Sequence, residues 1–275
     1  MLTGRDPSGT MPEVTTVRSA VFCVAALLAL AGCSAPSTAR REVSVAAAAD
    51  LKFALEEVVT AFERDHPDIH VNVTYGASGN FFAQLSNRAP FDVFFSADVE
   101  YPRKLIEQGL ADKDSEFTYA VGHLVVWVRK DSPLDVEKSG VKVLLDPAVR
   151  KVAIANPQHA PYGRAAEAAL KSLGVYDQVK DRLVLGENVA QAAQFAETGS
   201  ADAGVFALSL ALAPTMRDRG RWWEVPLGAY PRLDQGAVVL SWAKDRGAAD
   251  ALCAYVKGPD GRTVLRRYGF LLPGE

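Results

Sequence analysis

Short apolar segments alternate with amphipathic segments along this chain, and each pair predicts a strand followed by a helix. In the first half, strands are predicted at residues 42–49, 69–75 and 91–95. The first helix has an apolar face made of Leu51, Leu55, Val58, Val59 and Phe62, and Pro67 stops it. The second is predicted to begin at Phe81 and the third to end near Gly109. Three strands in this half therefore each lead into a helix.

The second half continues the alternation. Strands are predicted at residues 124–128, 152–155, 183–185, 203–207, 222–225 and 236–240. Helices are predicted within residues 141–150 and at 163–173, 189–196, 248–256 and 261–268. The order of elements predicts an α/β protein.

These elements are predicted to form two lobes, and the chain is predicted to pass between the lobes twice. The first crossing is predicted near Gly122, and the strand at 236–240 returns to the first lobe. We therefore assign residues 42–121 with 228–275 to lobe 1 and 122–227 to lobe 2. Each lobe should be a sheet flanked by helices, with a ligand cleft between the lobes at the carboxyl ends of strands.

The segment from residue 152 to 174 gives the first indication of what the cleft binds. An apolar strand ends at Asn156-Pro157, and a helix begins after Pro161 at Tyr162-Gly163 and ends at Gly174. A helix N-terminus offers unpaired N–H groups and partial positive charge, which together bind anions without Lys or Arg.

The same junction of a strand end and a helix start recurs at three other places. These are Ala49-Asp50, Ala77-Ser78-Gly79 and Asn188-Val189, where Asn188 is also a suitable N-cap residue. Four such junctions facing one cleft could hold a dianion, and closure of the lobes would strengthen each hydrogen bond by excluding water.

Composition and net charge indicate a globular protein and argue against one class of function. The chain has 275 residues, 49% of them hydrophobic and 23% charged, which is typical of a globular protein. A formal net charge of −3 argues against a nucleic-acid-binding protein, which normally carries a basic face.

The N-terminus is predicted to be a targeting segment. Arg18 precedes an apolar run from Ala20 to Ala31 that is too short to span a bilayer, so residues 1–32 are assigned as a signal peptide. The run ends in Leu-Ala-Gly-Cys33, which resembles a bacterial lipobox whose Cys is acylated; the alternative is a plain secretory signal. Residues 33–41 are predicted to be a flexible tether.

Enzymatic and metal-binding interpretations find little support in the sequence. Cys253 is the one cysteine left after residue 33 and is predicted to be a small buried side chain. The four His residues are too scattered for a metal cage. Asp92 and Asp98 flank an apolar strand and are expected to cap and support the turn after it rather than to perform acid–base catalysis.

Six segments in a fixed order give the chain a resemblance to a known family. They are AAADL at 47–51, YGASG at 75–79, PFDVFFSAD at 90–98, NPQHAPYG at 156–163, GENV at 186–189, and YVKGP at 255–259 with RYGF at 267–270. With these segments the chain resembles the molybdate-binding periplasmic proteins of ABC importers, from about Val43 to the C-terminus. The resemblance implies a type II periplasmic-binding-protein fold and a non-enzymatic receptor without a cofactor.

The resemblance also implies the residues that hold the oxyanion through hydroxyl and N–H groups, namely Asp50, Ser78, Tyr162 and Val189. Asn188 joins this set at the start of the Val189 helix. The metal of the anion would have no direct protein ligand.

Two positions depart from the family pattern. Many members have Ser where this chain has Asp50, and a carboxylate repels a dianion. Asp50 either turns its side chain away to cap the Lys52 and Phe53 amides while its N–H binds the ligand, or accepts a proton from the anion, which would favour protonated oxyanions such as hydrogen phosphate. We prefer the first because Asp is a favoured N-cap. A Tyr found in some members near Ala207 is missing, and Tyr162 is expected to supply that hydroxyl.

The expected function is capture of molybdate, and of tungstate, outside the cytoplasmic membrane and delivery to an ABC permease. The receptor is expected to be a monomer, attached to the membrane through a lipid on Cys33 alone. The alternatives are a receptor for another tetrahedral oxyanion such as phosphate or sulfate, and, less favoured, a secreted hydrolase, for which no nucleophile–base pair can be assembled.

Overall fold

A computed structural model describes residues 40–275, which form ten strands and ten α-helices. The predicted signal peptide, Cys33 and most of the predicted tether lie outside these residues. Arg41, which we assigned to the tether, already begins the first strand and pairs with Asp245 at 2.6 Å. Between residues 40 and 275, no helix is both long enough and apolar enough to cross a membrane.

The first sheet contains five strands in the order β2-β1-β3-β10-β4. They are β1 (Arg41–Ala48), β2 (Ile69–Gly76), β3 (Val93–Ser96), β4 (Phe117–Gly122) and β10 (Leu233–Val239). The first three are parallel, while β10 lies antiparallel between β3 and β4. The pairing of β10 with β4 shifts register between Gln235 and Gly236. The sheet is therefore mixed and is completed by a strand from near the C-terminus.

The second sheet also has five strands, in the order β7-β6-β8-β5-β9. They are β5 (Leu124–Arg129), β6 (Val152–Ala155), β7 (Leu183–Gly186), β8 (Ala203–Ala207) and β9 (Gly220–Glu224). Strands β6, β7 and β8 are parallel and β5 runs antiparallel to β8 and β9. β5, β6 and β8 are almost continuously apolar because helices cover both faces of their sheet.

Helices flank both sheets. Those of lobe 1 are α1 (Lys52–Asp65), α2 (Ser78–Ser86), α3 (Glu100–Glu107), α9 (Arg246–Lys257) and α10 (Pro259–Arg267). Those of lobe 2 are α4 (Val136–Ser139), α5 (Pro161–Ser172), α6 (Tyr176–Val179), α7 (Val189–Glu197) and α8 (Leu208–Ala211). The predicted α/β architecture of two mixed sheets with helices on their faces is confirmed.

The chain crosses between the sheets twice. It leaves the first sheet at Gly122 and enters the second at Leu124, with His123 between them, and it returns between Glu224 and Leu233. The exact lobe boundaries that we assigned remain predictions. The crossings lie beside each other because β4 and β10 are paired at Gly122 and Leu233.

Several elements differ from the sequence-based expectations. β4 was not predicted, because its six residues, Phe-Thr-Tyr-Ala-Val-Gly, show neither a strict alternation nor a long apolar run. α2 begins at Ser78 rather than at Phe81, which makes Ser78 the first residue of the helix. The four-residue helices α4, α6 and α8 were also missed, since a single turn has too few positions to show a period.

Candidate functional site

A small cavity between the two lobes brings the four predicted junctions together. The empty space between its lining atoms is at most about 180 Å³, part of which is open to solvent, so the cavity is too small for an organic ligand of drug size. Lobe 1 lines it with Ala48, Ala49, Asp50, Gly76, Ala77, Ser78 and Ala97, and lobe 2 with Ala160, Pro161, Tyr162 and Val189. The size suits an inorganic ion.

The charge lining this cavity comes from the backbone. Helices α2, α5 and α7 begin at Ser78, Pro161 and Val189, all of which line the cavity, and a short 3-10 helix at Ala49–Leu51 precedes α1. Each α-helix start carries roughly half a positive charge. Among the eleven lining residues there is no Lys, Arg or His. The site can therefore attract an anion only through main-chain dipoles and hydroxyl groups.

Ser78 is fully enclosed at the start of α2, with 1% of its surface exposed. Its Oγ accepts a hydrogen bond of 3.0 Å from the Ala97 N–H, beyond the end of β3. Because that bond uses a lone pair, the hydroxyl proton remains for donation to a ligand.

Tyr162, the second residue of α5, is buried and belongs to a hydrogen-bonded network. Its Oη accepts from Gln235 Nε2 at 3.0 Å, while Gln235 Oε1 lies 2.8 Å from the hydroxyl of Tyr119. Burial and the nearby charge of Asp50 raise the pKa of Tyr162 well above its usual value, so the hydroxyl keeps its proton. Tyr162 can therefore donate a hydrogen bond at any physiological pH.

Our preferred prediction for Asp50, that it caps the Lys52 and Phe53 amides, is wrong. No side chain caps the N-terminus of α1; instead Asp50 Oδ2 accepts from Gln235 Nε2 at 2.7 Å, and the same Gln235 nitrogen also donates to the Tyr162 hydroxyl. The amide of Gln235, on the interior strand β10 of the first sheet, draws the carboxyl inward. Asp50 Oδ1 is buried without a hydrogen-bond partner.

The buried position of Asp50 changes its acidity. Only 1% of its surface is exposed, and loss of hydration raises the carboxyl pKa to about 6 despite the hydrogen bond from Gln235. A carboxyl group that titrates just below neutral pH therefore lines the cavity.

Asn188 and Val189 have different positions relative to the cavity. The predicted cap is confirmed, because Asn188 Oδ1 accepts from the N–H groups of Ala190 and Gln191 at 3.0 and 3.1 Å. The Asn188 side chain lines a neighbouring open cleft with Lys52, whereas Val189 lines the cavity itself. Asn188 thus fixes the helix start, and its cap leaves the Val189 N–H unused.

Sequence reasoning missed Gln235, Tyr119 and Ala97. Gln235 is completely buried in β10, but it follows Asp234 and lies just before the strand predicted at 236–240, so the sequence did not indicate its burial. Tyr119 lies in β4, which was not predicted as a strand. Ala97 contributes only its main chain to the bond with Ser78, and no residue type could have indicated that contact.

Besides the Gln235–Tyr162 hydrogen bond, further contacts join the lobes around the cavity. The Gly79 N–H donates to the carbonyl of His159 at 2.9 Å, and Ser209 Oγ donates to the carbonyl of Asp50 at 2.8 Å. Arg164 Nη2 lies 2.6 Å from Asp98 Oδ2. The lobes are closed on each other in this structure.

The residues considered for other chemistry serve structural roles. Asp92 is buried, with its two oxygens accepting from the N–H groups of Ser44 and Lys244, and Asp98 accepts from the Glu100 N–H. Cys253 is buried as predicted, and burial raises its pKa to about 12. Within residues 40–275, no group of His, Cys, Asp or Glu side chains could hold a metal ion.

Comparison with known proteins agrees with this geometry. A family model described as bacterial extracellular solute-binding protein matches residues 43–271. The chain belongs to this family. It is a family of solute-binding transport proteins rather than of enzymes.

Relatives within the family carry names that specify a ligand. The chain is 40% identical to the molybdate-binding protein ModA of Azotobacter vinelandii over 87% of this chain and 94% of that protein. It is 37% identical to ModA of Rhodobacter capsulatus over 90% of this chain and 94% of the relative.

Solved structures support the two-lobed fold. The periplasmic molybdate-binding protein of Azotobacter vinelandii superimposes with a TM-score of 0.78 at 35% identity, covering 84% of this chain and 99% of that one. The sulfate-binding protein SubI of Mycobacterium tuberculosis has a TM-score of 0.69 at 17% identity, which shows the shared fold alone.

Proposed function

We propose that this protein captures molybdate, and also tungstate, outside the cytoplasmic membrane and delivers it to an ABC permease. The observation that carries the proposal is the small cavity where three helix N-termini meet and which no basic side chain lines. Molybdate is a small tetrahedral dianion, and partial charges from several helix starts can balance its charge. The names of the relatives at 40% and 37% identity point to the same ion.

The proposed ligands are the hydroxyl groups of Ser78 and Tyr162 and the N–H groups of Asp50 and Val189. All four residues line the cavity, and all are nearly inaccessible to solvent. Each hydrogen bond to an anion in a dry site is stronger than one between neutral groups. Asn188 supports the site by holding the first turn of α7 in place.

Closure of the lobes is the proposed signal to the permease. The ligands come from both lobes, so an anion favours the closed arrangement over an open one. Only the closed protein would present surfaces of both lobes together to a membrane partner. The protein acts as a monomeric receptor that needs no cofactor and performs no chemistry on its ligand.

Thermal unfolding with different oxyanions tests the ligand. We expect molybdate and tungstate to raise the melting temperature strongly, since a ligand at about a thousand times its Kd stabilises a protein by roughly 4 kcal/mol. Sulfate and phosphate at the same concentration should give a much smaller shift. A shift with phosphate or sulfate but not with molybdate would contradict the proposal.

A receptor for hydrogen phosphate is the second candidate, and Asp50 is the observation that favours it. An ionised carboxyl group can accept a hydrogen bond from an oxyanion that carries a proton, which fully ionised molybdate does not. The same thermal experiment separates the two functions, because phosphate would then give the larger shift.

The lipid anchor on Cys33 is a separate proposal, supported by the Leu-Ala-Gly-Cys sequence. Expression of the full chain in a bacterial host, followed by phase separation in detergent, should place the protein in the detergent phase. Cys33→Ala should move it to the aqueous phase. Recovery of the unchanged chain in the aqueous phase would indicate a plain secretory signal.

A further inference from the structure

A carboxyl group inside a cavity for dianions poses an electrostatic problem. Asp50 lines the cavity, and no Lys or Arg side chain lines it to compensate. Two negative groups in contact inside a water-excluding site repel each other far more strongly than in water. A proton located between them removes the repulsion and adds a hydrogen bond.

The hydrogen bonds around Asp50 show which oxygen can take that proton. Oδ2 already accepts from Gln235 Nε2 at 2.7 Å, whereas Oδ1 is buried and has no partner among the described residues. The orientation of Gln235 is fixed, because its Oε1 lies 2.8 Å from the Tyr119 hydroxyl and its Nε2 serves both Asp50 and Tyr162. Oδ1 is therefore the free acceptor of this network.

Tyr162 is a second reason to expect a proton here, because its single hydroxyl proton has two possible acceptors. The Tyr162 oxygen accepts from Gln235, so its own proton can go either to the Asp50 carboxylate or to a bound anion. When Asp50 is ionised the two acceptors compete for this proton. When Asp50 is protonated, Tyr162 and Asp50 can both donate to the anion.

We propose that the site captures its dianion together with one proton from solvent, which is shared between Asp50 Oδ1 and an oxygen of the anion. This inference rests on the proposed function, since it concerns how the same cavity binds its oxyanion. In this equilibrium, the free protein, the dianion and one proton combine to form the complex. The only covalent bond that forms is the O–H bond of that proton. The affinity of the site for the dianion therefore depends on pH through the protonation of Asp50.

The groups that surround Asp50 do not supply another explanation for such a pH dependence. The titratable side chains in contact with its network are Tyr162 from α5 and Tyr119 from β4, and burial raises the pKa of both. Charged residues on the helices and strands packed around Asp50 are Lys52, Glu56, Glu57, Glu63, Arg64 and Asp65 on α1, Arg164, Glu167 and Lys171 on α5, Glu197 on α7 and Asp234 on β10. None of these charged residues lines the cavity, and β4 and α8 carry no charged residue.

The direction of the effect follows from the pKa of the free carboxyl group. In the closed protein without ligand, burial raises that pKa to about 6, so Asp50 is mostly ionised there above pH 7, and an adjacent dianion raises the pKa further. Binding above pH 6 therefore takes up a proton. The Kd should rise by up to about tenfold per pH unit between pH 6.5 and 8 and become flat below about pH 6, where Asp50 is already protonated.

Titration calorimetry with sodium molybdate tests the proposal directly. Measurements at pH 7.5 in two oxyanion-free buffers of different ionisation enthalpy give the number of protons taken up on binding. We expect close to one proton for the wild type and close to zero for Asp50→Asn, whose amide keeps the shape of the side chain and has no proton to gain. Asp92→Asn, which changes a buried carboxyl group remote from the cavity, should retain the wild-type proton count.

The outcomes separate this proposal from the proposed function. Tight binding of molybdate by the wild type without proton uptake, or with uptake that Asp50→Asn retains, would overturn the role of Asp50 and leave the receptor function intact. Failure of the folded wild type to bind molybdate at all would refute the receptor function instead. Circular dichroism of each variant verifies that the chain is folded before binding is measured.

Discussion

Arg164 of lobe 2 forms an ion pair with Asp98 of lobe 1, with Nη2 2.6 Å from Oδ2, beside the cavity. Arg164 Nη1 also donates to the hydroxyl of Tyr101 at 3.2 Å. These bonds join the lobes and exist only when the lobes are closed. They lie outside the cavity lining, so the pair can affect closure without contacting a ligand.

Arg164→Ala should accelerate release of the anion while changing the free energy of unfolding by less than about 1 kcal/mol, because the pair is partly exposed. The effect should fade at high salt, which screens exposed charges. Stopped-flow measurement of dissociation at low and high ionic strength provides the test. Arg103→Ala is the matched control, since Arg103 pairs with Glu116 inside lobe 1; equal effects of both variants would contradict a role in closure.

Ser78→Ala should weaken molybdate binding by about 1–3 kcal/mol, because the complex loses a hydrogen bond to a charged ligand. Calorimetry at constant pH measures the change. Ser86→Ala, at the other end of α2, should bind as the wild type does. Unchanged affinity in Ser78→Ala would remove this hydroxyl from the site.

Gly122→Ala should damage the site through Tyr162. A Cβ at position 122 would lie 2.0 Å from Tyr162 Oη and 2.7 Å from Gln235 Nε2, both of which would have to move. We expect about 1–3 kcal/mol of destabilisation, typical of overpacking, together with a clear loss of affinity. Urea unfolding and calorimetry measure the two effects. Gly228→Ala, with no atom within 4 Å of the added Cβ, should be neutral in both.

Asp50→Asn should be more stable than the wild type without ligand at pH 7.5. The folded-state pKa of about 6 exceeds the ordinary value of 3.8, so the folded protein binds more protons between these values and the wild type loses stability as pH rises through them. Two pKa units correspond to about 3 kcal/mol. Urea unfolding of both proteins at pH 7.5 and pH 5 should show the difference shrinking at the lower pH. A difference independent of pH would contradict the raised pKa.

The sequence was sufficient to predict most of the fold because apolar periodicity is strong in buried strands. The predicted strand at 152–155 coincides with β6, and Gly174 follows α5 with the positive φ of 71° expected of a helix end. β4 was missed because its six residues show neither a strict alternation nor a long apolar run, although it ends at Gly122, the glycine that makes room for Tyr162.

The sequence predicts the site residues that lie at helix starts. It does not predict side-chain orientations that depend on hydrogen bonds between residues far apart in the chain. Ser78, Tyr162 and Val189 begin or follow helix starts that the sequence shows, and all three line the cavity. The orientation of Asp50 could not be predicted because it depends on Gln235, which is 185 positions away in the chain. The local preference of Asp for N-cap positions predicted a cap, whereas the long-range hydrogen bond from Gln235 determines where the side chain lies.

The position of β10 between β3 and β4 has a consequence for how the protein folds during synthesis. Residues 233–239 insert between β3 and β4, so this sheet stays split until nearly the whole chain has emerged, whereas the second sheet uses only earlier residues. Until then β3 and β4 present unpaired edges that are prone to aggregate. Because β10 also brings Gln235 to Asp50, the hydrogen bonds around the candidate anion site can form only after residues 233–239 have been synthesised.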